Sequence, residues 1–514
     1  MSTASWAARL VTVAALAMPL GISPALAETT LRIGVRADTY KFDEDRFSFT
    51  QRRPSTRITE PAVKPDENFL PAPLLFDTWE YSDGTYHIGL REGITFSDGS
   101  PLDAESAIAA LRLYDQHRYD YLQIDQDSFE VQDDLHFSFR SEIGSALVIE
   151  NMTSMATSFF SAKTDRSVNP VGTGPYRLEA YEPRQHISVV RNESYWGEAP
   201  LIDRLDYRFI ADDQARLLAL RNGEIDVIAD VTPEMMLSMP QDGSVVVHES
   251  RPIQYVALLA NLNGKAPYDI IHDIRIRQAL AWAIDRETIA QVLYDGRGVP
   301  AKGILPNWMF NLGDAYLTGF GHDPAKAAAL LDEAGWTMGA DGIREKDGRK
   351  LRLRLVAGYP GVSRVRPMPE MLEQMFAAIG VDIELIEIDD SGVYYATYMD
   401  VGEGDLFMEF GSNNNTDPTY LLFNLFTSGT PWGSYVYTAP GPHVDALLQG
   451  ARAAQSYDDV VDMVRQAHKA IVEEDLAAIP ILMVPNFVLS RQGLSVPMSE
   501  YTDWIDYGRV GGVE

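Results

Sequence analysis

The sequence predicts an α/β fold divided into two lobes, and three observations carry that expectation. Leu351 to Val356 and Val381 to Ile388 read as strands, with a helix from about Pro369 to Ile379 between them. That βαβ order favours a parallel sheet with a right-handed crossover. Helices with marked ends recur elsewhere along the chain. Finally, 514 residues exceed the roughly 250–300 at which one core stops growing, so the chain divides.

Taken in order, residues 1–27 read as a secretory signal. Arg9 gives a weakly positive start, Leu10 to Ile22 form an apolar run, and Ala25-Leu26-Ala27 offers a cleavage site. The run is shorter than the roughly 20 residues needed to span a bilayer. No cysteine follows it, so the expected product is exported, soluble and without a lipid anchor, in a periplasm. Leu31 to Val35 alternates as an opening strand, and Asp38 to Asp66 is irregular. Phe76 to Tyr81 and Tyr86 to Leu90 pair around Ser82-Asp83-Gly84. Asp103 caps a helix through Leu111. Thr232-Pro233-Glu234 starts another with a cap, a first-turn proline and an acid suited to the dipole. Asp323-Pro324 opens a helix that Gly335 ends, and Asp285 caps the one after Trp282 to Ile284. Tyr457 to Leu476 reads as helix and Ile479 to Leu489 as strand.

Composition excludes several functions. A net charge of −31 opposes nucleic-acid binding, which needs a basic footprint, and suits anionic lipid poorly. Without cysteine there is neither a disulfide framework nor thiolate chemistry.

The motifs then point to a family. Asn169-Pro170-Val171-Gly172-Thr173-Gly174-Pro175-Tyr176-Arg177-Leu178 is followed by Arg191-Asn192-Glu193-Ser194-Tyr195-Trp196-Gly197. Phe76 to Glu80 leads into Leu90 to Gly99, and Pro101 to Glu105 follows. Then come Asp212 to Arg216 with Leu220 to Asp226, Arg275 to Asp285, and Ala329 to Trp336. Together and in this order they resemble the extracellular solute-binding proteins of ABC transporters of the peptide/nickel/opine type. The resemblance implies a two-lobed periplasmic binding protein, a Venus-flytrap clamp with an extra subdomain. Lobe I would comprise 28–70, 165–262 and 483–514, with 71–164 as its extra subdomain, and lobe II would be 263–482. It implies a monomer that encloses a peptide-like or opine-like solute and delivers it to a membrane permease. An oligosaccharide or a nickel-type metal–chelator complex is the alternative cargo.

Ligand contacts follow from the same resemblance. Phe410 to Thr419 resembles the family's loop at the cleft, which marks Asn413, Asn414, Asn415 and Asp417. In peptide-binding relatives an aspartate three residues before the acid of the "(D/E)P" step anchors the α-ammonium, and here that position is Asn414. A neutral amide lacks the charge-assisted bond of a carboxylate, so ordinary peptide recognition is in doubt. Asparagines offer donors and acceptors alike, although turn geometry alone also accounts for them. Arg364 and Arg366 lie on a connection that borders the cleft in relatives, where a guanidinium receives a carboxylate; solvated surface arginines are the other reading. Trp308, Trp432 and Tyr435 suit a cleft lining or plain core packing.

The nine histidines are scattered without paired ligand spacing, so neither a resident metal nor a cofactor is expected. No Gly-x-Ser-x-Gly elbow or His-Glu-x-x-His helix occurs, and a periplasmic hydrolase is the remote alternative to a binding protein. Gly172 and Gly174 read as fold rather than as a phosphate cradle, since they open no helix.

Overall fold

The computed structural model describes residues 28–36, 56–115, 122–143, 146–154, 157–164, 169–229, 231–263, 266–357, 367–388, 393–394, 402–413, 415–428, 430, 442–498 and 505–513. The expected signal segment, most of the irregular region after Arg36, Arg364, Arg366, Asn414, Trp432 and Tyr435 lie outside them.

Two strands too long for one lobe organise the molecule. We number the strands of the large sheet β1 (Thr30–Val35), β2 (Tyr176–Glu182), β3 (His186–Arg191), β4 (Arg204–Phe209), β5 (Val227–Ile228), β6 (Val245–Ala260), β7 (Val299–Pro300), β8 (Arg352–Ala357), β9 (Asp382–Glu387), β10 (Leu406–Ser412) and β11 (Ala478–Arg491). Their order is β9-β8-β10-β6-β11-β5-β1-β4-β3-β2, with β7 on the edge of β11. The second-lobe half is β9, β8 and β10, mutually parallel and laid against Gln254–Ala260 of β6. The first-lobe half begins where β5 meets Leu489 and Ser490 of β11. Among the described residues only β6 and β11, antiparallel along their length, join the halves of this sheet.

The cores divide the same way. Ile253 to Ala260 and Ala478 to Val484 belong to one hydrophobic cluster with the 270–472 elements and the subdomain. Val488 packs with β1 and β4, and Val245 and Leu489 pack under the helices Asp213–Arg221 and Pro233–Ser238. Each crossing strand therefore changes core along its length. Where it changes, Pro252 faces Pro485, between two register irregularities. Proline has no N–H to donate, so the ladder is weakest at that point.

Local chemistry accounts for the elements that sequence marked. Asp103 accepts from the Ser106 N–H, Asp285 from Thr288, Thr232 from Met235 and Asp323 from Lys326, each at a helix start. Phe76–Ser82 and Thr85–Leu90 pair through a turn in which Asp83 and Gly84 both have positive φ. With His136–Phe139 and Glu130–Val131 they form a separate four-stranded sheet, in the segment expected as an extra subdomain. β8 and β9 are parallel as expected.

Two expectations change. The helix from Tyr457 ends at Lys469, and Ala470–Glu474 opens into a wider turn closed by the Asp475 N–H on the Ala470 carbonyl. The sixteen-residue β6 was not foreseen, because His248-Glu249-Ser250-Arg251-Pro252 interrupts its apolar pattern.

The family-like motifs turn out to be struts. At Gly172 and Gly174 a Cβ would stand 2.2 Å from the Ile58 carbonyl oxygen and 2.0 Å from that of Arg57. Only glycine permits that approach. Tyr195 Oη and Trp196 Nε1 donate to the buried Glu60 carboxyl, at 2.7 and 3.0 Å. Asp226, almost fully buried, accepts from Arg32 and Arg491 and is held below the usual carboxylate range by those bonds despite its burial. That joins the first and last strands of lobe I.

Candidate ligand-binding cleft

The position of the cleft follows from strand direction. In open α/β sheets ligands sit outside the carboxyl ends of the parallel strands. Ser412, the carboxyl end of β10, pairs with Gln254, two residues from Pro252. In lobe I, Ile228 pairs with Leu489 and Val227 with Ser490, so β5 and its parallel partner β1 also run toward the crossing. Both lobes thus turn the carboxyl ends of these strands toward the proline pair.

The wall on the second lobe is the loop after β10. Asn413, almost fully buried, donates through Nδ2 to the carbonyls of Asn415 and Asp417 at 2.5 and 3.3 Å, while its Oδ1 has no partner. Asn415 and Asp417 are committed to the protein. Asn415 donates to Asn151 Oδ1 at 3.0 Å and accepts the Asp417 N–H. Asp417 accepts from Asn151 Nδ2, the Thr419 N–H and Thr419 Oγ1, at 2.8, 2.7 and 2.7 Å. Thr416 bonds Thr153 and the Glu150 carbonyl in the same seam. This loop is therefore clasped to the subdomain helix Val148–Asn151, across more than 260 residues of sequence. Burial pushes the Glu150 carboxyl up to about 8, and the nearby Asp417 adds to that shift.

Trp308 stands beside the proline pair. Its indole donates to the Pro252 carbonyl at 3.3 Å, Phe69 meets its ring edge-on at 6.1 Å, and the Arg251 guanidinium lies 5.5 Å from the ring centre. Sequence reasoning gave no place to Gln254, Asn486 or Glu409, whose buried Nε2, Nδ2 and Oε2 have no hydrogen-bond partner. The available signal was a polar residue set directly among apolar ones in each strand.

The buried imidazole, by contrast, is internally satisfied. His468, fully buried, accepts the Ile304 N–H on Nε2 at 2.9 Å, which leaves its proton on Nδ1 facing Tyr316 Oη at 2.7 Å. Burial lowers it to about 3. Among the described residues no His, Asp and Glu side chains are grouped to hold a metal, and no helix is long and apolar enough to cross a membrane.

Residues 71–433 match the family model described as Bacterial extracellular solute-binding proteins, family 5 Middle. The chain belongs to that family. Over 361 residues it is 31% identical to the nickel-binding periplasmic protein of Escherichia coli K12, covering 66% of this chain and 67% of that one. Over 318 residues it is 29% identical to the dipeptide-binding protein of the same organism, covering 61% and 56%. NikA from Brucella suis in complex with Fe(III)-EDTA superposes with a TM-score of 0.83 at 23% identity, over 94% of this chain and 100% of that one. Fold and family are those of the two-lobed substrate-binding components of ABC importers.

In this family 5 protein, Glu409 gives the clearest pH dependence. It sits on β10 opposite Ala257, and burial alone pushes it up to about 8. A carboxyl raised above its unfolded value of 4.5 contributes stability below that value and loses it as pH climbs toward 8. Glu409→Gln should therefore gain on the wild type in melting temperature between pH 5 and 8. Parallel pH profiles would show that another group governs the window.

Proposed function

We propose that this chain captures a polar, carboxylate-bearing solute of opine-like or peptide-like character outside the membrane and hands it to a permease, without a catalytic step. The single observation that supports this best is the cleft loop, where Asn414 stands at the position of the peptide-anchoring acid in peptide-binding relatives. An amide there removes the ion pair for a free α-ammonium and offers a donor to an anion. We assign ligand contact to Asn413, Asn414, Arg364, Arg366, Trp432 and Tyr435. Asn415 and Asp417 hold the loop, and Trp308 braces the hinge. In this reading the lobes exchange within 249–254 and 485–487, the mature protein follows residue 27 without a lipid anchor, and it acts as a monomer.

A calorimetric titration with octopine, Ala-Ala and Ni(L-His)₂ tests the reading. Octopine carries two carboxylates and no primary α-ammonium, so it should bind and Ala-Ala should not. Asn414→Asp should weaken octopine and admit the dipeptide. Tight Ala-Ala binding by the wild type would overturn the ligand assignment. Ni(L-His)₂ binding alone would move the cargo to a metal chelate, the reading that the nickel-binding relative favours.

A further inference from the structure

The ribbon that joins the lobes carries two donors with nothing to bond. Gln254 is 2% exposed and Asn486 8%, yet Gln254 Nε2 and Asn486 Nδ2 have no partner and no solvent contact. Val484, opposite Gln254, and Val488, two residues after Asn486, are buried and apolar, while Ser412 lies opposite Gln254 on β10. Native proteins seldom bury an unbonded amide N–H, and when they do it calls for a reason.

Register places the two together. Gln254 pairs with Val484, and Val256 with Leu482. Across 482–487 the extra residues fall on β6, so β11 keeps its alternation and Leu482, Val484 and Asn486 share the face of Gln254. Asn486 is thus the diagonal neighbour of Gln254, about 7–8 Å away between backbones, within reach of two amide side chains. Ser412, opposite Gln254 on β10, continues that row to the cleft loop. The Asn486 N–H is itself fixed, donating to Ser250 Oγ at 2.9 Å. The pair brackets the facing prolines, one residue on each hinge strand.

We propose that Gln254 and Asn486 form a two-donor subsite on the hinge strands that receives an acceptor group of the solute, a carboxylate or carbonyl oxygen. This rests on the solute-binding reading above and adds where the anionic end is held. A group bonded to both residues ties the two crossing strands together where their own ladder lacks donors. Occupancy of the subsite then favours one hinge angle, and ligand contact there is converted into closure.

The test compares wild type with Gln254→Met and Asn486→Leu, which keep shape and remove the donors. In ligand-stripped protein both variants should melt at the wild-type temperature or a few degrees above it, because no bond is lost. A drop of several degrees in both would mean that the amides are structural, and would overturn the proposal. In titration with octopine each variant should bind at least tenfold more weakly at unchanged stoichiometry. Unchanged affinity would also overturn it. If wild type itself ignores octopine, the opine-like assignment falls by that result, and the same affinity comparison with whichever of Ala-Ala or Ni(L-His)₂ binds decides the subsite.

Discussion

Asp417→Ala is expected to destabilise the protein by about 3–5 kcal/mol, because three buried hydrogen bonds end on that one carboxyl. Asp417 is 0% exposed, so water cannot replace the lost acceptor for Asn151 Nδ2 or the Thr419 donors. Each deserted donor adds desolvation cost to the bond that is gone. Asn151→Ala should lose part of the same energy, since it also frees Asn415. The double variant should therefore cost less than the sum of the two singles. Urea unfolding followed by tryptophan fluorescence checks both statements. A loss under about 1 kcal/mol for Asp417→Ala would mean that the clasp between the cleft loop and the subdomain does not persist in solution.

Gly174→Ala should be comparably severe, about 3 kcal/mol or more, with little soluble protein recovered. Its Cβ would meet the Arg57 oxygen at 2.0 Å and the Ile58 carbonyl atoms at 2.8 Å. These are backbone atoms, held by the Gly174 N–H on the Ile58 carbonyl and by the Arg57–Asp506 ion pair at 2.5 Å. Arg57 already sits at φ 53, so the approaching strand has little freedom to retreat. Gly93→Ala is the control: its Cβ meets nothing within 4 Å, leaving only the left-handed penalty of about 1–2 kcal/mol. Equal melting temperatures for the two variants would show that the close approach is not needed.

What could be read in advance follows from how local the signal is. Asp103, Thr232, Asp285 and Asp323 cap helices through bonds spanning three residues, so a short window of sequence contains the whole cause. The parallel pair β8 and β9 was equally legible, because strand, helix and strand follow one another directly. β6 was not, since Pro252 and its charged neighbours break the alternation at the point where the strand leaves one core for another. That interruption is where Pro252 faces Pro485, so the failure of pattern marks the change of core.

The candidate site was legible by position more than by role. Asn413, Asn415 and Asp417 lie just after Ser412, the end of β10. Yet Asn415 and Asp417 spend their polar atoms on Asn151 and Thr419, partners that no spacing rule could supply. Trp308 bonds Pro252 for the same reason: the contact joins segments 56 residues apart. The unpartnered amides of Gln254 and Asn486 became visible only once register set them on one face.

Native mass spectrometry of the gently purified protein is the sharpest test of solute capture. The expected result is a one-to-one complex with a small carboxylate-bearing molecule, released on unfolding and lost from Gln254→Met. A protein that carries no such mass, and whose melting temperature is unmoved by octopine, Ala-Ala or Ni(L-His)₂, would contradict it.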